Sequence, residues 1–410
     1  MARGKNKSTL NKNVDILWWV ALCPNKRGSF EDYVVRVGNR CERSGLSFAV
    51  VFVAPCPADM VTWFNDEGIR FFEIKYSEIE STIEVARFLL KLRPQIIHFH
   101  YIGIGLGRAL ASRILSRKAV VVHDHSSRIH GELKKNSDNM SVIRRIRSIV
   151  LANLTDAIIA VSDYIREQIV LEMPAVSTKV ITIHNGVDTT RFRKAADIGR
   201  NIRLSATPDR EGGENVTIVF VGALEDYKGI REFLSAAEII HGEFSDVRFL
   251  VVGNGSMAKF VVQRFKELGE HTAQYLGSRS DVHEILRTAD ILVGPSKWGE
   301  AFGLTFAEAS ASGLPIVSSR IGGIPEIVLD LETGFLCEPG DVDEIVGALR
   351  NLIGDSNLRT KMGVAGRARI EKMFELDDAV GKTMDLYIRL GVRSCAINSI
   401  TPIPKPQQKD

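Results

Sequence analysis

The sequence predicts an α/β protein made of two Rossmann-like, doubly wound domains that face one another across a cleft. Three observations carry this expectation. Short apolar runs alternate with helix-period patterns along most of the chain, the signature of parallel sheets covered by helices. With 410 residues the chain is too long for one ordinary core and suits two. A polar, glycine-containing stretch at 194–214 interrupts the alternation once and reads as a linker.

At the start, Arg3, Lys5, Lys7 and Lys12 precede an apolar run at 16–22, a pattern that mimics a signal peptide. Asp15 borders the run, no small-x-small cleavage site follows, and Leu22 sits where a lipobox before Cys23 would need a small residue. The reading is a basic tail over 1–13, then a buried first strand. Further strands are expected at 48–53, 96–100, 119–123, 157–161 and 180–184, completing a first domain over 14–193. A second series at 216–221, 247–252, 291–294, 315–318 and near 335–337 defines a second domain over 215–372. A helix pattern at about 377–390 lies beyond the last strand, within a segment 373–392, and the proline-bearing end 393–410 reads as loose.

Composition narrows the class. Hydrophobic content of 45% and charged content of 25% describe a soluble globular protein. The net charge of +3 points neither way on nucleic acid, and none is expected as a partner. Cys23, Cys41, Cys56, Cys337 and Cys395 are scattered and form no Cys-x-x-Cys, which suits a reducing compartment and argues against a disulfide frame or zinc ribbon. No stretch is long enough to span a bilayer, so a cytoplasmic location is expected.

The most specific stretch is 295–328, PSKWGEAFGLTFAEASASGLPIVSSRIGGIPEIV. A strand at 291–294 ends in a loop carrying Glu300 and Gly303; Thr305 opens a small-residue helix that stops at Gly313, with Pro315 beyond. A loop of this kind, feeding a helix N-terminus, is where open α/β sheets bind phosphorylated ligands. Glu308 also admits a plainer reading, because Thr305-x-x-Glu308 satisfies the capping-box pattern.

Glu300-x7-Glu308 around Phe302-Gly303-Leu304, followed by Ala311-Ser312-Gly313-Leu314-Pro315-Ile316-Val317 and Gly322-Gly323-Ile324-Pro325-Glu326, resembles the donor site of retaining GT-B glycosyltransferases of family four. The likeness extends to Ile97-His98-Phe99-His100, Val122-His123-Asp124, Ala160-Val161-Ser162, Asn185-Gly186-Val187-Asp188 with Phe192, and Val221-Gly222 through Lys228-Gly229. It implies that the 377–390 helix crosses back onto the first domain. It implies a nucleotide sugar, UDP-, GDP- or ADP-linked, as donor and a carbohydrate or lipid-linked acceptor, in cell-surface polysaccharide or glycolipid synthesis, with no cofactor and no metal.

Each part of such a donor asks for a different partner. Lys228 would meet the diphosphate as a cation, with a surface lysine as the alternative. The amides of Phe302, Gly303, Leu304 and Thr305 at the helix start would add donors and a favourable dipole. The resemblance gives the ribose diol to Glu308, the sugar hydroxyls to Glu300 and a sugar contact to His123, whose alternative is a buried, hydrogen-bonded histidine. Gly28, the one glycine left where relatives carry a pair, would approach the diphosphate, and the Gly253 loop would lie near the nucleotide. One departure stands out: relatives commonly carry an arginine at the position of Ala223. Arg279, Lys297 and Arg27 are candidates to replace it.

Other signals are weaker. His98, His100, His123 and His125 suggest zinc, but no cysteine supports it. Asp341-Val342-Asp343 mimics a metal-binding Asp-x-Asp, yet it sits at a helix start where acids cap. Gly253-Asn254-Gly255 approximates a dinucleotide fingerprint, an oxidoreductase reading weakened because Leu276-Gly277-Ser278 lacks the ribose-binding acid. Lys134, Lys135, Arg144, Arg145 and Arg147 with interleaved isoleucines read as a solvated helix face; peripheral docking on an anionic membrane, at its inner face, is the minority reading. A nucleotide-sugar-binding subunit with little turnover is the alternative to an enzyme, motivated by Ala223.

Overall fold

The computed structural model describes residues 13–102, 105–116, 118–126, 142–193, 216–269 and 271–393. The tail before 13, the linker, Lys134, Lys135, the side chains of Arg144, Arg145 and Arg147, and the end after 393 lie outside the described residues.

The first half forms a parallel sheet in the order β3-β2-β1-β4-β5-β6-β7. Its strands are β1 Ile16–Val20, β2 Phe48–Val53, β3 Phe71–Ile74, β4 Ile96–His100, β5 Ala119–Asp124, β6 Ala157–Ala160 and β7 Val180–Thr182. The second half forms a parallel sheet in the order β10-β9-β8-β11-β12-β13. Its strands are β8 Val216–Val221, β9 Val247–Val252, β10 Ala273–Gly277, β11 Ile291–Gly294, β12 Ile316–Ser319 and β13 Gly334–Cys337. This is the two-domain, doubly wound α/β architecture that the sequence predicts. The differences are at the edges and ends: β3 has no counterpart in that expectation and β10 no range in it, β1 stops at Val20 rather than at 22, and β7 stops at Thr182 rather than at 184.

Each sheet reverses direction once, between β1 and β4 and between β8 and β11. Crevices at the carboxyl ends of such strand pairs are where doubly wound sheets take ligands. The strands that flank these points are buried on both faces because helices cover both sides. Every residue of β1, including Trp18 and Trp19, is fully buried.

The helix Leu376–Arg389 lies against the first half, as the resemblance implied. It packs on the helix Ser29–Arg43 and sends Leu376, Val380, Met384 and Tyr387 into the first-half core. Its polar groups are satisfied there: Trp18 Nε1 donates to Tyr387 Oη at 2.7 Å, and Tyr33 and Thr383 hydroxyls meet at 2.5 Å. The two halves are also bonded directly. Arg287 donates to the carbonyls of Arg191 and Arg193, and Arg367 to that of Phe192. The two crevices therefore face each other in one bonded body.

Candidate active site

β11 delivers the chain to Pro295, and the loop from there to Gly303 is held by neighbours rather than by regular structure. Gly323 donates its N–H to the Glu300 carbonyl at 2.8 Å, so the Gly-Gly-Ile-Pro turn seats the Glu300 backbone. Gly229 has φ +78°, and a Cβ there would lie 1.8 Å from the Pro295 carbonyl oxygen. Only glycine allows this approach, which brings Lys228 beside the loop. Gly303, at φ +98°, is the N-cap of the helix Leu304–Ala311.

These constraints converge on one pocket of about 300 Å³ between the halves. From the second half its walls are Gly222, Ala223, Lys228, Glu300 and 302–305; from the first they are Tyr101, His125, Val161 and Asn185. Lys228 Nζ sits 2.6 Å from Glu300 Oε1, both largely out of solvent. The ammonium and the carboxylate thus neutralise each other.

Glu308 does not form the capping box. The helix begins at Gly303 and has no side-chain cap bond, so Thr305 lies inside the first turn and Glu308 beyond it. Instead Glu308 Oε1 accepts from Ser29 Oγ at 2.5 Å, a bond between the halves. Burial pushes the Glu308 carboxyl above its usual range, opposed by the Ser29 bond and by the charges of Arg191 and Lys26.

The other sequence candidates are placed less directly. Gly28 is the N-cap of the helix Ser29–Arg43, and its N–H is taken by Glu31 Oε2 at 3.1 Å. Burial raises the Glu31 carboxyl to about 7. Gly253 lies outside the pocket, beneath Gly222; its N–H bonds Gly277 and its carbonyl accepts from Tyr275. Arg279 is committed to Asp281 at 2.6 Å and does not line the pocket. Neither do the other two candidates for the place of the missing arginine. Lys297 is held by Asp226 and Glu232 at 3.0 and 2.9 Å, and Arg27 by Asp32 at 2.7 Å. The cations whose charge reaches Glu308 are Lys26 and Arg191, which the sequence did not single out.

His123 is buried and lines a small recess with Ser29, Phe30, Tyr33, His184 and Leu304. It stands in a stack with His98, His100 and His125, where His125 Nε2 meets His100 Nδ1 at 3.2 Å and His125 faces the larger pocket. Nitrogens of His98, His100 and His123 all lie within 4.8 Å of one another. The His98 and His123 planes are 7° apart with centroids at 5.5 Å. His100 is tilted 37° from His98 and 42° from His123. Burial, and then the neighbouring imidazoles, hold His98, His100 and His123 well below the ordinary histidine range. Asp341 caps the helix Val342–Gly354 by accepting from the Glu344 N–H at 3.0 Å, which accounts for the Asp-x-Asp without a metal.

Sequence reasoning also missed three contributors. Ser29 is one. Tyr101 lines the pocket with φ +57°, an uncommon backbone state for a residue other than glycine. Glu326 reaches from the Gly-Gly-Ile-Pro turn to the Asp163 and Tyr164 N–H groups and to His184 Nε2, all at 2.8–2.9 Å, and ties the first half to the Glu300 loop. Only Glu326 had a signal, its place in the motif.

Comparison with known proteins finds two glycosyltransferase domain families along the chain. Residues 31–191 match the family described as Glycosyltransferase Family 4, and residues 207–369 match Glycosyl transferases group 1. The chain is 27% identical over 345 residues to the Escherichia coli UDP-Gal:alpha-D-GlcNAc-diphosphoundecaprenol alpha-1,3-galactosyltransferase, covering 81% of this chain and 87% of that one. It is 26% identical to the D-inositol 3-phosphate glycosyltransferase of Corynebacterium diphtheriae, covering 82% and 84%. Among solved structures, Anabaena HepE in complex with UDP and glucose superposes with a TM-score of 0.69 at 18% identity, covering 92% of this chain and 100% of that one.

Proposed function

We propose that this chain, which joins a Glycosyltransferase Family 4 domain to a group 1 glycosyltransferase domain in a GT-B fold, moves a sugar from a nucleotide-diphosphate donor to a carbohydrate or lipid-linked acceptor. Retention of anomeric configuration, independence of metal, and a place in cell-surface polysaccharide or glycolipid synthesis belong to the same reading. The observation that carries it is the convergence of Lys228, Glu300 and the start of the helix Leu304–Ala311 on one pocket; Glu308, on the same helix, is not in its lining and is bonded to Ser29 of the first half.

In this reading the donor diphosphate draws the Lys228 ammonium away from Glu300 and lies against the amides at Gly303–Thr305, where the helix dipole favours negative charge. Glu300, released, accepts sugar hydroxyls. Glu308 exchanges the Ser29 hydroxyl for the ribose diol. As the glycosidic bond breaks, charge accumulates on the departing diphosphate, and Lys228 with the helix amides stabilises it. Preorganised donors of this kind are usually the largest single contribution to a rate. The acceptor hydroxyl attacks from the same face, and its proton passes to the leaving phosphate oxygen.

A second reading, a donor-binding subunit with little turnover, is favoured by one observation: Ala223 lines the pocket and none of Arg27, Arg279 and Lys297 takes the place of an arginine there. A panel of UDP-, GDP- and ADP-sugars, followed by nucleotide release with and without candidate acceptors, separates the two. The enzyme reading expects release from one donor, unchanged by EDTA. Binding without release supports the second reading. Loss of release in EDTA with rescue by manganese overturns metal independence.

A further inference from the structure

We infer that a groove on the first half, between the helices Ser29–Arg43, Ala58–Asp66 and Leu376–Arg389, binds a neutral oligosaccharide. The groove encloses about 570 Å³, within the range of about 300–1,000 Å³ that small-molecule sites occupy. It shares no lining residue with the pocket between the halves. Arg36, Arg40 and Arg43 follow one another at spacings of four and three residues and so share one face of the first helix. Asp377 and Asp378 come from the last helix, and Trp63 and Glu67 from Ala58–Asp66 and its end.

Two observations point to an occupant. The first is a set of polar groups left unused. Arg36 is committed to Asp188 and Asp377 at 3.1 and 3.3 Å, and Arg27 to Asp32 at 2.7 Å. Among the described residues no hydrogen bond or ion pair holds the side chains of Asn39, Arg40, Arg43, Glu67 and Asp378, which line the same groove. The second is Gly381. Glycine in a helix interior is destabilising relative to alanine. A Cβ at Gly381 would meet nothing within 4 Å, so no packing contact requires glycine there. Its missing side chain leaves the groove open.

The lining selects the ligand. Four guanidiniums, of Arg27, Arg36, Arg40 and Arg43, stand among four carboxylates, of Asp32, Glu67, Asp377 and Asp378. A guanidinium only donates and a carboxylate only accepts, whereas a hydroxyl does both. Neighbouring hydroxyls of a polyol therefore engage the two kinds together. A phosphate would meet the arginines but lie against the carboxylates. A protein partner would ask for several large apolar or aromatic anchors, and Trp63 is the one aromatic ring in the lining. Arg27 lies 5.0 Å over that ring, which joins the two into a flat wall with a polar edge.

The inference is independent of the donor chemistry, and its test needs no donor. The full chain is titrated calorimetrically with the neutral trisaccharides maltotriose, cellotriose, mannotriose and triacetylchitotriose, with and without UDP, GDP or ADP. Binding of at least one is expected, at an affinity that nucleotide leaves unchanged. Gly381→Leu places a good helix former in the groove; it is expected to weaken binding about tenfold or more and to leave the melting temperature level or higher. Arg40→Ala with Arg43→Ala is expected to weaken binding as well, and it serves if Gly381→Leu does not fold. Absence of binding across the panel, or equal affinity in wild type and a folded variant, overturns the inference. So does displacement of the saccharide by nucleotide, which would place it in the cleft, or by inorganic phosphate, which would assign the groove to an anion.

Discussion

Lys228→Ala is expected to lower turnover by about two to three orders of magnitude, the range for removing one preorganised charge donor from a developing anion. The loss has two physical sources. The ammonium that would meet the diphosphate disappears, and Glu300, its partner at 2.6 Å, is left as an unpaired carboxylate facing that same anion. Donor affinity should therefore fall along with turnover. Lys228→Arg keeps the charge but fills a gap fitted to a smaller group, so it should recover part of the affinity and less of the rate. Single-turnover rates and donor titration on both variants measure this. A rate within threefold of wild type for Lys228→Ala would remove the lysine from the chemistry.

The second large effect is on stability in acid. The folded chain keeps His98, His100 and His123 neutral well below the ordinary histidine range, and His125 down to about 3, because their rings are buried. In the unfolded chain each binds a proton near pH 6.5. Stability is thus fully present above about pH 6.5 and is lost as pH falls towards the folded values, at about 1.4 kcal/mol per pH unit for each histidine. Buried carboxyls, Glu31, Glu308 and Glu375 among them, oppose this. Glu31, raised to about 7, and Glu308, raised by burial, hold protons in the folded state that the unfolded chain has released. The buried histidines outnumber the opposing carboxyls, so the folded state is expected to lose stability as pH falls below about 6.5. Urea midpoints at pH 7.5, 6.5 and 5.5 test the sign, with a steep fall expected over the last step. A midpoint that is level or rises towards pH 5.5 would contradict the buried, neutral stack.

The histidine stack also shows what a sequence conveys and what it withholds. Alternation along β4 puts His98 and His100 on one face, and the parallel register with β5 sets His123 beside His100. Which of the four would face the ligand depends on the helix that covers the sheet, and the pocket takes His125. The strands themselves were legible because Val- and Ile-rich runs buried on both faces have few other readings. The edge strand β3 was not: Phe71-Phe72-Glu73-Ile74 is short, half-buried and carries a charge. The second-half part of the site was legible because Glu300, Gly303 and Glu308 lie in one continuous motif whose turns pack on each other; Glu326 stands in the same motif, but its partners in the first half could not be read from it. Contacts made across the cleft were not, since Ser29 meets Glu308 across 279 residues. Arg279 illustrates the opposite error, because Asp281, two residues away, claims its guanidinium.

The account rests on Glu308 as a ligand for the nucleotide, and titration of UDP, GDP and ADP against wild type and Glu308→Gln tests that most directly. The structure removes the cap as an alternative role, so the substitution should leave the start of the helix Leu304–Ala311 intact. Loss of a charged hydrogen bond to the ribose should cost about 1.5–3 kcal/mol, roughly tenfold to somewhat over a hundredfold in the dissociation constant of the nucleotide that wild type binds best. If Glu300 meets the sugar as proposed, Glu300→Gln should leave that constant nearly unchanged. Equal nucleotide affinity in wild type and Glu308→Gln would contradict the account.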